Sequence, residues 1–354
     1  MKILVIQQKM IGDVLISSLI CDNLRKAYPN AQIDYMVYEF TIEVLQGNTN
    51  FDNIILFKEK HKKSKWELFK FLRAIRKEKY DIAIDAYSKL ESWLVVLFSG
   101  ASKKISYLKK GRAFLYTDAV IRKQTTNTNL GLIIEQRLAL LEPLHLNIPL
   151  ETFPKIYVSK EEDEFATSLF KSHRIDQSKK TIMVSIIGSG PDKTYPLVYM
   201  SKLVDFIADN GDFNILFNYF PKQLDDAKTI FNGCKETTKQ KIYFSVLGKH
   251  IREFIAIMNL CDMIIGNDGG AINMAKALNK PSFIVFSPWI DKKGWATFED
   301  GINHISLHLN EFKPELFEGK AAKVVKKETK LFYDAFQPEL IFPSLKTFLA
   351  THSG

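Results

Sequence analysis

Residues 2–37 read KILVIQQKMIGDVLISSLICDNLRKAYPNAQIDYMV. Lys2–Ile6 is a β-branched, apolar run typical of a strand, Val14–Tyr28 has the apolar spacing of an amphipathic helix, and Gln32–Val37 is a second strand pattern. The pair Pro29-Asn30 marks the end of the helix. A strand, a helix and a strand in this order predict a parallel βαβ unit.

The alternation of strand and helix patterns continues along the chain and restarts once. In the first half, strands are predicted at Asn53–Phe57, Asp81–Asp85 and Lys103–Tyr107, and helices at Lys65–Lys79 and Leu130–Leu146. Residues 147–160 contain two prolines and little helical spacing, which indicates a linker. Further strands are predicted at Thr181–Ile187, Phe213–Phe217, Ile242–Ser245, Met263–Gly266 and Ser282–Phe286.

These patterns predict an α/β protein with two Rossmann-like domains, each a doubly wound parallel sheet, that face a central cleft. The N-terminal domain is expected over residues 1–155 and the C-terminal domain over residues 156–335. Residues 336–354 are expected to form a final helix that packs back on the N-terminal domain. Ligands of such sheets bind outside the carboxyl ends of the strands.

Composition narrows the class of protein. Hydrophobic residues make up 46% of the chain and charged residues 25%, which is typical of a globular protein. Cys21, Cys234 and Cys261 match no disulfide or metal pattern and fit a reducing cytoplasm. The apolar runs are too short for a signal peptide or a membrane span, so contact with a membrane surface is the most that is expected.

Excess positive charge is confined to the first half. Residues 1–160 hold 25 Lys and Arg against 16 Asp and Glu, a net of +9, while residues 161–354 hold 24 of each. Residues 58–80 carry ten basic and three acidic side chains, and residues 101–113 carry five basic and no acidic ones. A single basic run is often a solvated helix face, but two runs in one half favour an anionic partner. Nucleic acid, an acidic lipid and a phosphorylated sugar all fit this charge.

The turn after the first strand contains Gly12 and Asp13. Gly12 permits a tight turn, and Asp13 comes at or just before the start of the next helix. An aspartate in this position is a common helix cap. It can also be a general base, because a helix N-terminus keeps a carboxylate ionised and able to accept a proton from a hydroxyl. Spacing alone leaves both interpretations open.

A glycine-bearing turn in the second half could wrap an anion. Gly188, Ser189 and Gly190 follow a predicted strand and precede Lys193. Exposed backbone N–H groups and one cation would then meet in the same loop. The same composition is also common in linkers.

A second such turn runs from a predicted strand into a helix as Asn267-Asp268-Gly269-Gly270. The free N–H groups and positive end of the helix favour a diphosphate, and Asp268 would contact sugar hydroxyls. Asp268 as a simple helix cap is the alternative. The seven histidines have no metal-ligand spacing, so no metal is expected.

These three turns, in this order, resemble those of glycosyltransferase family 9, the ADP-heptose:lipopolysaccharide heptosyltransferases of GT-B fold. Residues 11–37 are similar to the first signature of the family, an (I/M)GD turn followed by a helix and a strand. Residues 267–288, NDGGAINMAKALNKPSFIVFSP, are similar to its second signature. Asn273 stands where the family usually has a histidine, and Tyr195 where tryptophan is frequent.

The resemblance implies an inverting, metal-independent transferase with no cofactor. It implies that Asp13 is the catalytic base and that Lys193 neutralises the departing diphosphate. The implied donor-binding residues are Gly188, Ser189, Gly190, Asn267, Asp268, Gly269, Gly270 and Asn273. The implied acceptor-binding residues are Gly12, Lys60, Lys62, Lys63 and Lys65.

The implied reaction moves a heptose-type sugar from an ADP-sugar to the inner core of lipopolysaccharide, an acidic glycolipid. Such an enzyme would work in the cytoplasm, at the inner face of the inner membrane, without a nucleic acid partner. Two alternatives stay open: a GT-B transferase that uses another nucleotide sugar for a cell-surface polysaccharide, and a non-catalytic protein that binds anions or nucleic acid. A nucleotide-sugar epimerase on a similar fold is a further possibility.

Overall fold

The computed structural model describes residues 1–126 and 128–353. Contacts between Cα atoms divide the chain into two compact units, Met1–Tyr157 and Val158–Gly354. The first unit consists of β1 Lys2–Ile6, α1 Ile11–Ala27, β2 Gln32–Tyr38, β3 Asn53–Phe57, α2 Glu59–Lys63, α3 Lys65–Glu78, β4 Ile82–Asp85, α4 Leu90–Phe98, β5 Lys103–Tyr107, β6 Asp118–Val120 and α5 Leu132–Ala139.

The first unit is built on a six-stranded sheet in the order β3-β2-β1-β4-β5-β6. Every pairing in it is parallel, so the carboxyl ends of all six strands lie at one edge. From β1 the chain adds β2 and β3 on one side of the sheet, and it then returns to add β4, β5 and β6 on the other side. The switch point therefore lies between β1 and β4, which pair directly. Residues 3–6 are fully buried because β1 is a central strand. Ligands of doubly wound sheets bind at this kind of switch point.

Over residues 158–353, the second unit contains five strands and most of the helices described for the chain. Its elements are α6 Lys160–Ser172, β7 Thr181–Ser185, α7 Leu197–Asp209, β8 Asn214–Asn218, α8 Leu224–Gly233, α9 Glu236–Lys239, α10 Ile251–Leu260, β9 Met263–Asn267, α11 Gly270–Ala277, β10 Ser282–Val285, α12 Lys292–Trp295, β11 His304–Leu307, α13 Ala322–Lys327, α14 Thr329–Ala335 and α15 Phe342–His352.

The second sheet is also entirely parallel, in the order β11-β10-β9-β7-β8. Its switch point lies between β7 and β9, and both glycine-bearing turns predicted from the sequence follow these two strands. Two parallel α/β sheets of this kind confirm the fold class expected from the sequence.

Some sequence-based assignments differ from the structure. The predicted strand Ile242–Ser245 is wrong, because Ile242 forms only an isolated bridge to Ile215. The predicted helix Leu130–Leu146 is shorter, Leu132–Ala139, and a 3-10 turn follows at Glu142–Leu144. Pro143 lies in that turn and cannot donate a helical hydrogen bond, which explains the early end.

The final helix, α15, belongs to the second unit. Where the sequence predicts a helix that packs back on the N-terminal domain, the structure buries Leu345, Phe348 and Leu349 in the apolar core of the second unit. The ring of Phe348 lies 5.6 Å from that of Phe283, on β10. Among the described residues, no helix is both long and apolar enough to cross a bilayer.

Candidate functional site

Asp13 lies at the switch point of the first sheet, in the first turn of α1. Because the helix begins at Ile11, Asp13 is its third residue; the N-cap is Met10, and Asp13 contributes to capping as the acid of a capping box. Its Oδ2 accepts a hydrogen bond from the Met10 N–H at 3.3 Å. Gly12 is buried in the same turn. The helix start therefore holds one oxygen of the Asp13 carboxylate in place.

Arg137, on α5, holds the other oxygen. Its Nη2 lies 3.1 Å from Oδ1 of Asp13, and its guanidinium also donates to Ser17 Oγ at 2.7 Å and to Tyr107 Oη at 2.8 Å. The Arg137 side chain is only 4% exposed, whereas that of Asp13 is 17% exposed. The carboxylate is thus fixed from within the unit while part of it still meets solvent.

Burial raises the pKa of Asp13 above its ordinary value. The charges of Arg137 and Arg122 and the Met10 N–H oppose this shift but do not cancel it. The prediction from sequence considered only the helix N-terminus, which favours the ionised form of Asp13. It left out the free-energy cost of taking a charged carboxylate out of water, which is the larger effect here. A carboxylate with a raised pKa is a stronger base towards a substrate hydroxyl.

Asp85, at the end of β4, is the other carboxylate at this switch point. It is fully buried, and its oxygens accept hydrogen bonds from the Tyr87 N–H, the Ser88 N–H and the Tyr116 hydroxyl. Because three donors occupy the oxygens of Asp85 and no solvent reaches it, this carboxylate fixes the loop after β4 and is closed to a substrate. Asp13 is therefore the better candidate for proton transfer.

Replacing Arg137 should destabilise the protein. In Arg137→Met the Asp13 carboxylate loses its buried cation, and we expect a loss of about 3–5 kcal/mol in the free energy of unfolding. Urea denaturation of the two proteins measures this difference. Arg122→Met is the control, because Arg122 is exposed and lies 4.3 Å over the Tyr107 ring, so its loss should cost about 1 kcal/mol or less. Equal stability of Arg137→Met and the parent would contradict the buried ion pair.

The predicted acceptor lysines lie on and beside α2 and are all exposed. Lys60 pairs with Glu67 at 2.9 Å, and Lys63 lies 4.0 Å from Glu59. Because these two charges are partly neutralised, Lys62 and Lys65 carry more of the net positive charge. The four side chains therefore contribute unequally to any anion site.

Tyr38 connects these lysines to the turn before Asp13. The Nζ of Lys62 lies 5.7 Å from the centre of its ring, and the Nζ of Lys9 lies 5.9 Å from it. Burial and the charge of Lys62 lower the pKa of Lys9. The structure therefore brings part of the basic run next to the Asp13 turn, through Lys9 and Tyr38, which the sequence did not single out.

In the second unit, the loop after β7 is held at its start by two side chains. The Gly188 N–H donates to Thr194 Oγ1 at 3.1 Å, and Gln223 Nε2 donates to the Gly188 carbonyl at 2.9 Å. A Cβ at Gly188 would lie 2.1 Å from the carbonyl oxygen of Lys193, so glycine is required there for space. Ser189 is exposed at the tip of the loop, and Gly190 follows it.

Lys193 comes at the end of this loop, within a small cationic cluster. Its Nζ lies 5.5 Å from the centre of the Trp289 ring, and the Nζ of Lys326 lies 4.0 Å from the same ring. Asp192 fixes the arrangement: its carbonyl accepts from Trp289 Nε1 at 2.8 Å, and its carboxylate pairs with Lys326 at 3.1 Å. Trp289 and Lys326 are site residues that the sequence analysis missed.

Asn267, at the end of β9, joins the two strands of the switch point. Its side-chain oxygen accepts the Tyr195 N–H at 2.7 Å, and its amide donates to the Ser185 carbonyl at 2.9 Å. It is fully buried. Asn267 therefore positions the loop that carries Lys193, whereas the sequence predicts direct contact with the donor.

Asp268 and the two glycines after it open the helix α11. Burial raises the pKa of Asp268, and the nearby charges of Lys193 and Lys276 lower it by less. Gly269 caps the helix, so the alternative of Asp268 as the cap is wrong. A Cβ at Gly269 would meet no atom within 4 Å, which leaves open space beside the backbone. Asp268 and Lys193 are thus brought together by the fold.

Lys276 is a second charged residue that the sequence analysis missed. It lies on α11, three residues after Asn273, is 2% exposed, and donates to the backbone carbonyl and hydroxyl of Thr297. Burial lowers its pKa to about 8, and the charges of Glu299 and Asp268 act in the opposite direction. A lysine within the helical run INMAKAL is the signal that could have drawn attention to it.

The lowered pKa of Lys276 should make stability depend on pH. Between about pH 8 and pH 10.5 the unfolded chain holds a proton that the folded chain has lost, so the contribution of this group to stability rises with pH. Relative to Lys276→Met, the parent should gain about 2–3 kcal/mol between pH 7 and pH 10, measured by urea denaturation. Lys323→Met, at an exposed position, should show no such gain. A constant difference across this range would contradict the buried, titrating lysine.

Within the described part of the chain, no group of three or more His, Cys, Asp or Glu side chains could hold a metal ion. The nearby charges that oppose the raised pKa of Asp268 are those of Lys193 and Lys276, and the charges that oppose the raised pKa of Asp13 are those of Arg137 and Arg122.

Comparison with known proteins identifies relatives of this architecture. The chain is 23% identical to lipooligosaccharide heptosyltransferase 2 of Haemophilus ducreyi over 296 residues, which cover 80% of this chain and 82% of that protein. The structure of Escherichia coli ADP-heptose lps heptosyltransferase II superimposes with a TM-score of 0.72 at 19% identity and covers the whole of both chains. The structure of E. coli heptosyltransferase WaaC with ADP-2-deoxy-2-fluoro heptose gives a TM-score of 0.64 at 17% identity, over 87% of this chain and 93% of that one.

These structural likenesses agree with the GT-B fold expected from the sequence. The family model described as glycosyltransferase family 9 (heptosyltransferase) matches residues 68–325, which is most of the chain and includes all of the second switch point. The chain therefore belongs to glycosyltransferase family 9 and is a glycosyltransferase.

Proposed function

We propose that this enzyme transfers a heptose from ADP-heptose to the inner core of lipopolysaccharide, with inversion at the anomeric carbon and without a metal ion or cofactor. The observation that carries the proposal is the Asp13 carboxylate at the first switch point, held by Arg137 and the Met10 N–H and still partly exposed. The relatives named above support the sugar and the acceptor, because their names specify heptose transfer to lipopolysaccharide or lipooligosaccharide.

In the proposed reaction Asp13 removes the proton from an acceptor hydroxyl. The hydroxyl oxygen forms a bond to the anomeric carbon of the donor sugar, and the bond between that carbon and the diphosphate oxygen breaks. ADP leaves with the electron pair of the broken bond. Attack from the face opposite ADP inverts the configuration at this carbon.

The second unit is proposed to bind the donor. The free N–H groups at the start of α11 and the charge of Lys193 suit a diphosphate, with Lys326 beside them. Lys193 would offset the charge that develops on the leaving group, which supplies the electrostatic stabilisation often provided by a metal. Asp268 and Asn273 would contact sugar hydroxyls, and Asn267 would position the loop.

The first unit is proposed to bind the acceptor. Lys9, Lys60, Lys62, Lys63 and Lys65 offer charge to the phosphates of an acidic glycolipid, at the edge of the sheet that carries Asp13. The expected setting is the cytoplasmic face of the inner membrane, with no nucleic acid partner.

A panel of nucleotide sugars tests this function. Because a ligand that binds the folded state raises its stability, ADP-heptose should raise the melting temperature more than UDP-, GDP- or CMP-sugars do. Incubation with ADP-heptose and lipopolysaccharide lacking its heptoses should then release ADP and give a product of inverted anomeric configuration. Stabilisation by a different nucleotide sugar, with no transfer from ADP-heptose, would overturn the proposed donor.

That last outcome would favour the second candidate, a transfer from another nucleotide sugar onto a cell-surface polysaccharide. Two observations favour it: Asn273 stands where the family usually has histidine, and the buried Lys276 on α11 interacts electrostatically with Asp268, which precedes that helix. Both residues lie on the proposed donor side. They bear on the identity of the sugar and leave the reaction class unchanged.

Neutralising the basic run should affect large, charged acceptors most. In a variant with Lys60, Lys62, Lys63 and Lys65 changed to Ala, activity on lipopolysaccharide should fall more than activity on a small uncharged acceptor. The difference should shrink as salt is added, because exposed charges are screened within about 10 Å at 0.1 M salt. A matched control changes four exposed lysines of the second unit, Lys160, Lys171, Lys323 and Lys330. Equal losses on both acceptors would contradict an electrostatic role.

A further inference from the structure

Gln7, the residue after β1, reaches forward onto the turn that leads to Asp13. Its backbone N–H donates to the Met36 carbonyl of β2 at 3.1 Å, which fixes the residue to the sheet. Its side chain is buried, and Nε2 donates to the Lys9 carbonyl oxygen at 2.8 Å. The Lys9 carbonyl is therefore tied to the end of a central strand.

The peptide group that Gln7 holds meets Asp13 at its other end. The Lys9 carbonyl and the Met10 N–H belong to one planar unit, and this N–H donates to Asp13 Oδ2 at 3.3 Å. Because the unit is planar, a hydrogen bond that holds the carbonyl also restricts the direction of the N–H. Acceptance at the carbonyl further strengthens donation by the N–H, since hydrogen bonds in a chain polarise one another.

We propose that Gln7 is a positioning residue for the base, which holds the peptide between Lys9 and Met10 so that its N–H points at the Asp13 carboxylate. The inference deepens the proposed function and rests on it where Asp13 is taken to be the base. Gln7 acts through the turn, while Asp13 is the group that meets the acceptor hydroxyl.

The burial of Gln7 supports a role beyond folding. Its Oε1 is buried and has no hydrogen-bond partner among residues 1–126 and 128–353. A buried polar atom without a partner lowers stability, and an apolar side chain of the same length would avoid this cost. The amide of Gln7 thus makes its one side-chain hydrogen bond to the turn before Asp13, at the expense of an unsatisfied oxygen.

Ionisable side chains on several sides interact with the Asp13 carboxylate. They are Arg137 on α5, Arg122 after β6, Tyr35 on β2 and Tyr87 after β4. Because Gln7 is uncharged and its side chain donates to the Lys9 carbonyl, its replacement leaves these groups in place. A change in the titration of Asp13 after this replacement would therefore report on the Met10 N–H.

The pH dependence of kcat/KM in Gln7→Met tests the proposal on the full chain. Methionine has the length of glutamine but cannot donate to the Lys9 carbonyl, so the Met10 N–H should stabilise the ionised carboxylate less and the pKa of Asp13 should rise. The acidic limb of the profile should move up by about 0.5–1 pH unit, which lowers kcat/KM on that limb roughly three- to tenfold. The KM for the donor should not change. A uniform loss at every pH, without a shift of the limb, would overturn the proposal.

Gln8→Met is the matched control for Gln7→Met. Gln8 is the next residue, is 1% exposed, and its Nε2 has no hydrogen-bond partner in the described part of the chain. Its replacement should keep the acidic limb of the parent, and an equal shift in both variants would overturn the specific role of Gln7. Gln7→Asn keeps the amide but is too short to reach the Lys9 carbonyl. It should reproduce the shift, and it provides the same test should Gln7→Met not fold.

A double-mutant comparison shows whether Gln7 acts through Asp13. In the Asp13→Asn background, Gln7→Met should cause no further loss of kcat, because the two changes affect the same group. A further loss of the size seen in the parental background would place the effect of Gln7 elsewhere and overturn the proposal.

A direct titration keeps this proposal apart from the proposed function. NMR of aspartate labelled at the side-chain carboxyl carbon gives the pKa of Asp13 without substrate, and Asp13→Asn identifies its signal. Normal turnover in Asp13→Asn would contradict the base assignment, yet a higher pKa in Gln7→Met would still support the hold of Gln7 on the carboxylate. An unchanged pKa in Gln7→Met, beside a large loss of turnover in Asp13→Asn, would overturn the positioning role alone.

Discussion

Asp13→Asn should lower kcat by roughly 10²–10⁴-fold, the range that a positioned general base contributes. The amide keeps the size of the carboxylate, and its oxygen can still accept the Met10 N–H. It cannot take a proton from the acceptor hydroxyl. Calorimetric binding of ADP-heptose should remain close to that of the parent, because Asp13 lies in the first unit and the proposed donor residues lie in the second.

The pH dependence of kcat/KM provides a second readout for Asp13. Activity should fall as pH decreases through the pKa of the free enzyme, because the protonated carboxyl cannot act as a base. Burial raises the pKa of Asp13, so this fall should begin above the pH expected for an ordinary aspartate. Asp118→Asn, at a partly exposed position on β6, is the control and should keep full activity. An Asp13→Asn enzyme with normal turnover would exclude Asp13 as the base.

Lys193→Met should have the second large effect, a loss of roughly 10²–10³-fold in kcat, as when one preorganised group that stabilises developing charge is removed. Methionine is unbranched and one atom shorter than lysine, so most of the packing near Trp289 should be kept. The charge that would face the departing diphosphate disappears. Steady-state kinetics with ADP-heptose should show most of the loss in kcat and a smaller change in KM.

Lys326→Met is the matched control for Lys193. Lys326 also lies over Trp289 but pairs with Asp192 at 3.1 Å, so its charge is already partly offset and its replacement should cost less. Chelation with EDTA should leave the parent enzyme fully active. A larger loss in Lys326→Met than in Lys193→Met would reverse the two assignments, and loss of activity with EDTA would contradict transfer without a metal.

The buried strands and the three glycine- or acid-bearing turns could be predicted from the sequence, because each depends on a local pattern of residues. Strands such as β1 and β7 show continuous apolar runs because they are buried on both faces, and the three turns stand out through their glycines and acids. The strand order and the switch points are properties of pairing between distant segments, which spacing along the chain does not encode. The family resemblance supplied the GT-B fold directly.

The partners of the site residues could not be predicted for the same reason. Arg137 is 124 residues from Asp13 in sequence and is the last of three consecutive polar residues, Glu135 to Arg137, in an otherwise apolar helix. Asn267 looks like a ligand-binding residue, yet burial and two hydrogen bonds give it a positioning role. The direction of the Asp13 pKa shift depends on desolvation, which is a property of the folded unit alone.

The loop that carries Lys193 is held by hydrogen bonds at both ends, which lowers the entropy that it can lose when a ligand binds. Thr194 and Gln223 hold Gly188, and Asn267 holds the N–H of Tyr195, so the segment between them is largely ordered before any ligand arrives. Binding of a diphosphate would then carry little penalty for immobilising the loop. Asn267→Ala removes the acceptor of the Tyr195 N–H and should leave the loop less ordered. Calorimetry should then show a less favourable entropy for the binding of ADP.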